Sequence, residues 1–152
     1  MSDHRQVFHD LVRFETELWG AVDERLRSEV ELPLSWFESM LIVDQLEGCR
    51  VYDIAEALSI TVGGTSKLVD RIEAAGLCER RPNPDDRRSS LISLTAAGRD
   101  RFTDAAVVFD DELSRRLVVS DSTLDRFHAV LRRLRTTSRL LDHPDEPGSG
   151  HG

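Results

Sequence analysis

Apolar residues recur at steps of three and four over residues 4–29. Val7, Leu11, Phe14, Leu18, Val22 and Leu26 form one stripe, the pattern of a long amphipathic helix. Pro33 stops it. Ser35 is then placed to cap a second, mostly apolar helix, "WFESMLIVDQL", which Gly48 closes. "RVYDIAEAL" (50–58) predicts a short third helix with Ile54, Ala55 and Leu58 facing inward. Thr61 caps a fourth helix that runs to about Ala75, with Thr65, Leu68, Ile72 and Ala75 on its inner face. Gly76 follows, as a helix stop should.

The pattern then changes period. "LCERR" (77–81) and "SLISL" (90–94) alternate roughly every second residue around the turn-forming stretch "PNPDDRRS", which predicts a β-hairpin. Thr95 caps a fifth helix, about 96–117, with Phe102, Ala105 or Ala106, Phe109 and Leu113 along one side. Ser120 or Asp121 caps a sixth, to about Leu141, striped by Leu124, Phe127, Val130, Leu134 and Leu141. The remainder, "DHPDEPGSGHG", is polar and rich in Pro and Gly, and reads as a disordered tail. The fold class that follows is mainly α with a small β-hairpin. A short helix, a tight turn, a second helix and a hairpin make a winged helix-turn-helix, whose second helix enters a DNA major groove.

The net charge of −8 argues mildly against a nucleic-acid partner, but its distribution argues the other way. Residues 1–60 carry a balance of −8, residues 61–101 a balance of +2, and residues 102–152 a balance of −2. The basic middle is built from Arg, with Lys67 the one Lys of the chain, and Arg forks onto phosphates and base edges. No apolar run approaches the roughly 18 residues of a membrane span, and "MSDHRQVFHD" lacks a signal-peptide pattern, so a cytoplasmic location and no membrane partner are expected. Two cysteines, Cys49 and Cys78, suit a reducing compartment and read as core thiols, with a pairing between them left open by the sequence. His4, His9, His128, His143 and His151 form no close ligand set, so no metal and no cofactor are expected. No phosphate loop and no paired nucleophile and base are readable, which argues against an enzyme.

Two constellations carry the candidate chemistry. In the fourth helix Gly63, Ser66, Lys67 and Asp70 project to one side, with Gly64 and Arg71 on its flank. Two glycines in the first turn cost roughly 1 kcal/mol each in helix propensity. The amides after Thr61 lack helical partners and lie at the positive end of the helix dipole, so bare backbone there lets a phosphate or groove wall come close. Tight packing against the third helix, or a loose helix start, would use small residues equally well. In the hairpin loop, Arg87 and Arg88 can enter a minor groove, while Asp86 bonds loop amides or braces Arg88. A solvated turn is the plain alternative.

These residues resemble the MarR family of bacterial transcription regulators. "DDRRSSLISLT" is similar to the family's wing signature through Asp86, Arg88, Leu94 and Thr95. "DIAEALSITVGGTSKLVDRIEAAGL" is similar to its helix-turn-helix, including Asp70-Arg71. The resemblance covers about residues 10–140. It implies a homodimer on double-stranded DNA, with an inverted-repeat operator, and a DNA-binding set of Thr61, Gly63, Gly64, Thr65, Ser66, Lys67, Arg71, Asp86, Arg87 and Arg88. In that set Arg88 enters the minor groove and Arg87 meets phosphate. It also implies an organisation of dimerisation helix (1–34), winged helix-turn-helix (35–95), two further dimerisation helices (96–141) and tail (142–152).

Many members of that family release DNA when a small, often phenolic, anion binds between the dimerisation and DNA-binding regions. Trp19, Asp53 and Arg87 match the residue types of a urate-responsive branch, with Trp19 and Asp53 the candidate ligand contacts. The redox-sensing Cys that some members carry near the first helix is absent here. The expectation is a dimeric repressor tuned by a small molecule. The alternative is a winged-helix module that binds protein, which the acidic total favours.

Overall fold

In the computed structural model, residue 1 and residues 3–142 are described. The chain divides into two units, Met1–Arg116 and Leu117–Gly152. The first opens with α1 (His4–Val30), capped by the Asp3 carboxylate on the Arg5 amide and ended by Glu31 in the left-handed region at φ 51. Of its stripe, Val22 and Leu26 are buried, while Val7, Leu11 and Phe14 in the N-terminal half, and Phe8 outside the stripe, remain exposed.

The second helix, α2 (Leu34–Gln45), starts two residues earlier than a Ser35 cap predicts. Pro33 occupies the cap position with φ already at −60, and the free Leu34 amide donates to the Asp23 carboxylate of α1 at 2.8 Å. Ser35 therefore lies inside the helix, where its carbonyl accepts from the Ser39 hydroxyl. Gly48 serves the turn beyond α2, at φ +69.

α3 (Val51–Leu58) and α4 (Val62–Ala74) follow, then the antiparallel strands β1 (Cys78–Pro82) and β2 (Ser90–Leu94), paired from Cys78 with Leu94 to Pro82 with Ser90. The buried face of α4 is Thr65, Val69 and Ile72. Val69 takes the place expected for Leu68, which is half-buried, and Ala75 is exposed. α5 (Ala96–Arg116) is capped by Thr95, whose hydroxyl accepts from the Gly98 amide at 3.0 Å and donates to the Gly76 carbonyl. Its Phe102 and Phe109 pack on Phe37, with ring centroids 5.3 and 4.7 Å away. Phe37, Leu26, Leu32, Met40, Ile54 and Ile72 are the largest side chains of the core, which seats helix-turn-helix and hairpin on one base.

Three further contacts fix that base. The Ile92 amide of β2 donates to the Cys49 carbonyl at 2.7 Å, tying the hairpin to the turn before α3. Arg101 of α5 donates to the Val30 and Glu31 carbonyls at the end of α1. Arg25 of α1 pairs with Asp111 and Glu112 of α5, and the buried Glu112 also accepts from Arg116. Cys49 and Cys78 are free and buried, and burial pushes each thiol up to about 11.

The second unit contains α6 (Asp121–Asp142), whose first turn bonds to the Ser120 hydroxyl through the Thr123 amide. None of its residues is buried, and Phe127, Val130, Leu134, Leu140 and Leu141 are exposed. Asp142, expected in the tail, is its last helical residue, and the rest of the expected tail, 143–152, lies outside the described residues. No described helix is long and apolar enough to cross a membrane.

Candidate nucleic-acid interface

The turn between α3 and α4 is set by Ser59, in the left-handed region at φ 55, and by Thr61 in extended backbone. The Thr61 hydroxyl accepts from the Gly64 amide at 3.1 Å, and its carbonyl accepts both the Thr65 amide and the Thr65 hydroxyl. Thr65 is thereby a correction to the expected contact set. It is fully buried, lies behind the outer face of α4, and secures the cap from within.

The two glycines divide in role. A β-carbon on Gly64 would stand 3.0 Å from the Thr61 hydroxyl, so part of its reason is the cap itself. A β-carbon on Gly63 would meet nothing within 4 Å. Packing against α3 does not account for Gly63, because the space beside it is open. Gly63, Lys67 and Arg71 are exposed and Ser66 is half-buried.

The hairpin tip is held from inside. Buried Asn83, not singled out by the sequence reading, accepts the Asp85 amide at 3.0 Å and donates to the Ser89 hydroxyl at 3.0 Å. Asp86 accepts the Arg88 backbone amide at 2.9 Å. Of the two roles offered for Asp86, it takes the first: it shapes the loop and leaves both guanidiniums exposed.

The cations of residues 61–101 fall into two sets by what they touch. Arg80 pairs with Asp70 and Arg81 with Glu79, while Arg99 and Arg101 donate to backbone carbonyls. Lys67, Arg71, Arg87 and Arg88 make no ion pair among the described residues and are all exposed. These four lie on α4 and the hairpin tip. A cleft of about 420 Å³ runs between the two elements, lined by Tyr52, Val62, Ser66, Arg80 and Arg88 among others. Arg50, also on that cleft, is held by Asp53, whose carboxylate accepts the Arg50 amide at 2.8 Å and its guanidinium at 3.2 Å.

The expected ligand contacts do not meet. Asp53 lines a separate cleft behind the hairpin with Arg50, Asn83, Asp85 and Asp86, and its carboxylate is engaged in starting α3. Trp19 lines a cavity of about 160 Å³ with Leu18, Val22, Leu34, Phe109 and Leu113, and two carboxylates, Glu15 and Glu38. Glu38 has no hydrogen-bond or ion-pair partner among the described residues, and burial raises its pKa. Arg87 lines neither space.

A capped recognition helix beside an antiparallel hairpin on a helical base is a winged helix-turn-helix. A MarR family model matches residues 32–90, from just before α2 to the first residue of β2. The chain is 28% identical over 83 residues to the uncharacterized HTH-type transcriptional regulator YfiV of Bacillus subtilis, covering 55% of this chain and 51% of that protein. It is 37% identical over 46 residues to the multiple antibiotic resistance protein MarR of Escherichia coli, covering 30% and 32%. The chain thus spans about half the length of the first relative and a third of the second. Among solved structures it is similar to Sco3205, a MarR family transcriptional regulator from Streptomyces coelicolor in complex with DNA. The TM-score is 0.81 at 18% identity, covering 86% of this chain and 84% of that one.

Proposed function

We propose that this chain is a cytoplasmic, sequence-specific DNA-binding transcription regulator, acting as a homodimeric repressor on an inverted-repeat operator. The observation that carries the reading is the partition of the cations. The four left without ion pairs sit on the two elements that would enter neighbouring grooves, and the bare Gly63 lies beside them. The DNA complexes solved for Sco3205 and for a MarR variant of E. coli support it. Dimerisation is supported by α6, whose apolar stripe buries nothing, and by the exposed apolar half of α1. A two-fold dimer would read half-sites about one helical turn apart. The test is a gel shift on the DNA beside its own gene, against a random duplex of equal length, over a range of salt. Preferential binding that falls steeply with salt is expected, and equal or salt-insensitive retention of both duplexes overturns the reading.

Release by a small molecule is part of the proposal, and the cavity beside Trp19 is its seat. The charged groups lining it are carboxylates and none is basic, so a phenolic effector would enter as the neutral phenol and donate its hydroxyl to Glu38. Titrating aromatic compounds into a Trp36→Phe variant and reading Trp19 fluorescence tests this. A ligand that dissociates the operator complex without changing that emission would place the effector elsewhere.

A further inference from the structure

Asp70 sits on the outward side of the proposed recognition helix, one turn beyond Ser66. A bare carboxylate there would repel a DNA backbone. It is not bare. Arg80 of β1 brings Nη2 to 2.8 Å from Asp70 Oδ1 and donates from the same nitrogen to the Ser66 carbonyl at 3.2 Å. The backbone amide of Arg80 donates to the Glu73 carboxylate at 3.0 Å. Ser66, Asp70 and Glu73 occupy successive turns of α4, so one residue of the wing strand grips the helix at three heights.

The chain passes from α4 to β1 through Gly76, at φ +76. The Ile92–Cys49 hydrogen bond ties β2 to the turn before α3, and Arg80 is the brace that ties β1 to α4 itself. Its Nε is buried with no acceptor among the described residues. A guanidinium present only to balance charge would turn that N–H to water, since an unsatisfied buried donor is costly. This one is held by its other contacts.

We infer that Arg80, acting through Asp70, is the positioning residue that fixes the offset between recognition helix and wing, and so the spacing between major-groove and minor-groove contacts on the operator. The inference rests on the DNA-binding reading above. It also explains why an acid is kept on a face that meets phosphate.

The deciding variant is Asp70→Asn, because charge and position predict opposite signs. Removing a negative charge strengthens binding to any duplex. Losing the brace weakens operator binding, by about tenfold if one base contact per half-site is displaced, while affinity for a random duplex holds or rises. Arg80→Lys, which keeps the charge on a shorter side chain, should fall between Asp70→Asn and wild type. Thermal midpoints of both variants monitor folding.

A second readout needs no DNA. Spin labels on Ala74→Cys and Pro84→Cys, both exposed positions, report the distance between helix and wing tip. Asp70→Asn should broaden that distribution. A parallel gain for both duplexes, or an unchanged distance distribution, overturns the inference. A wild-type protein that binds no duplex while the distance still broadens overturns instead the function on which it rests.

Discussion

The Thr61 hydroxyl and the Gly64 amide form the hydrogen bond that starts α4, and a β-carbon on Gly64 would lie 3.0 Å from that same oxygen. Neighbouring Gly63 faces open space. Gly63→Ala should therefore stabilise the folded protein by up to about 1 kcal/mol through helix propensity and yet weaken operator binding. Gly64→Ala gains less, because the cap must give by a few tenths of an ångström. Denaturant midpoints and operator affinities of the two variants check this. A Gly63→Ala protein that is both more stable and equally tight on DNA would show that the bare backbone serves nothing outside the chain.

Gly98 is a different case. A β-carbon there would stand 1.8 Å from the Leu77 carbonyl oxygen, where the start of α5 is pressed onto the entrance of β1. Backbone cannot move aside as a flexible side chain can. Gly98→Ala should cost about 2–4 kcal/mol, read as a lowered urea midpoint with the unfolding slope unchanged.

Arg87 and Arg88 are free of ion pairs among the described residues, whereas Arg81 is paired with Glu79. Arg88→Ala should weaken operator binding and flatten the logarithmic salt dependence by about one counterion per subunit. Arg81→Ala, on the same hairpin, should change both much less. Salt-titrated anisotropy on a labelled operator distinguishes them.

Glu112 carries the pH dependence of the α1–α5 contact. Hydrogen bonds from Arg116 and Arg25 hold its carboxyl below the usual glutamate range. Its stabilising contribution is therefore fully present above the unfolded glutamate pKa and is lost as pH falls through the lower folded value. Wild type should lose stability in that acid window more steeply than Glu112→Gln. Urea midpoints from neutral pH down to the acid limb measure the difference.

Glu38 runs the opposite way. Burial beside the Trp19 cavity raises its folded pKa, so its ionised form opposes folding above that pKa and the penalty fades as pH falls through it. Glu38→Gln should raise the thermal midpoint at neutral pH, and the gain should shrink on acidification. A variant no more stable than wild type at neutral pH would mean the carboxylate is already solvated.

What was readable in the sequence was what is local. The Thr61 cap, the Thr95 cap and the two strands of the hairpin depend on residues two to four apart or on a plain alternation, and the chain declares them. The cap of α2 was not readable, because its acceptor, Asp23, belongs to another helix. Leu68 and Val69 are adjacent apolar residues one helical step apart, and only packing chooses between them. Thr65 was legible as an inner residue, but its hydroxyl also suited a contact set. The Arg80–Asp70 pair and buried Asn83 needed the hairpin folded back on its helix before either had a meaning.

The hydrogen bond from Ile92 to Cys49 has a mechanical corollary. α2 is a rod of twelve residues, about 18 Å long. Leu34 and Glu38, at one end, wall the Trp19 cavity, and the turn past the other end grips β2 through Cys49. A tilt of this lever about its middle would move both. On the proposed function, a molecule in the hollow and a duplex at the hairpin would be coupled through this one rod.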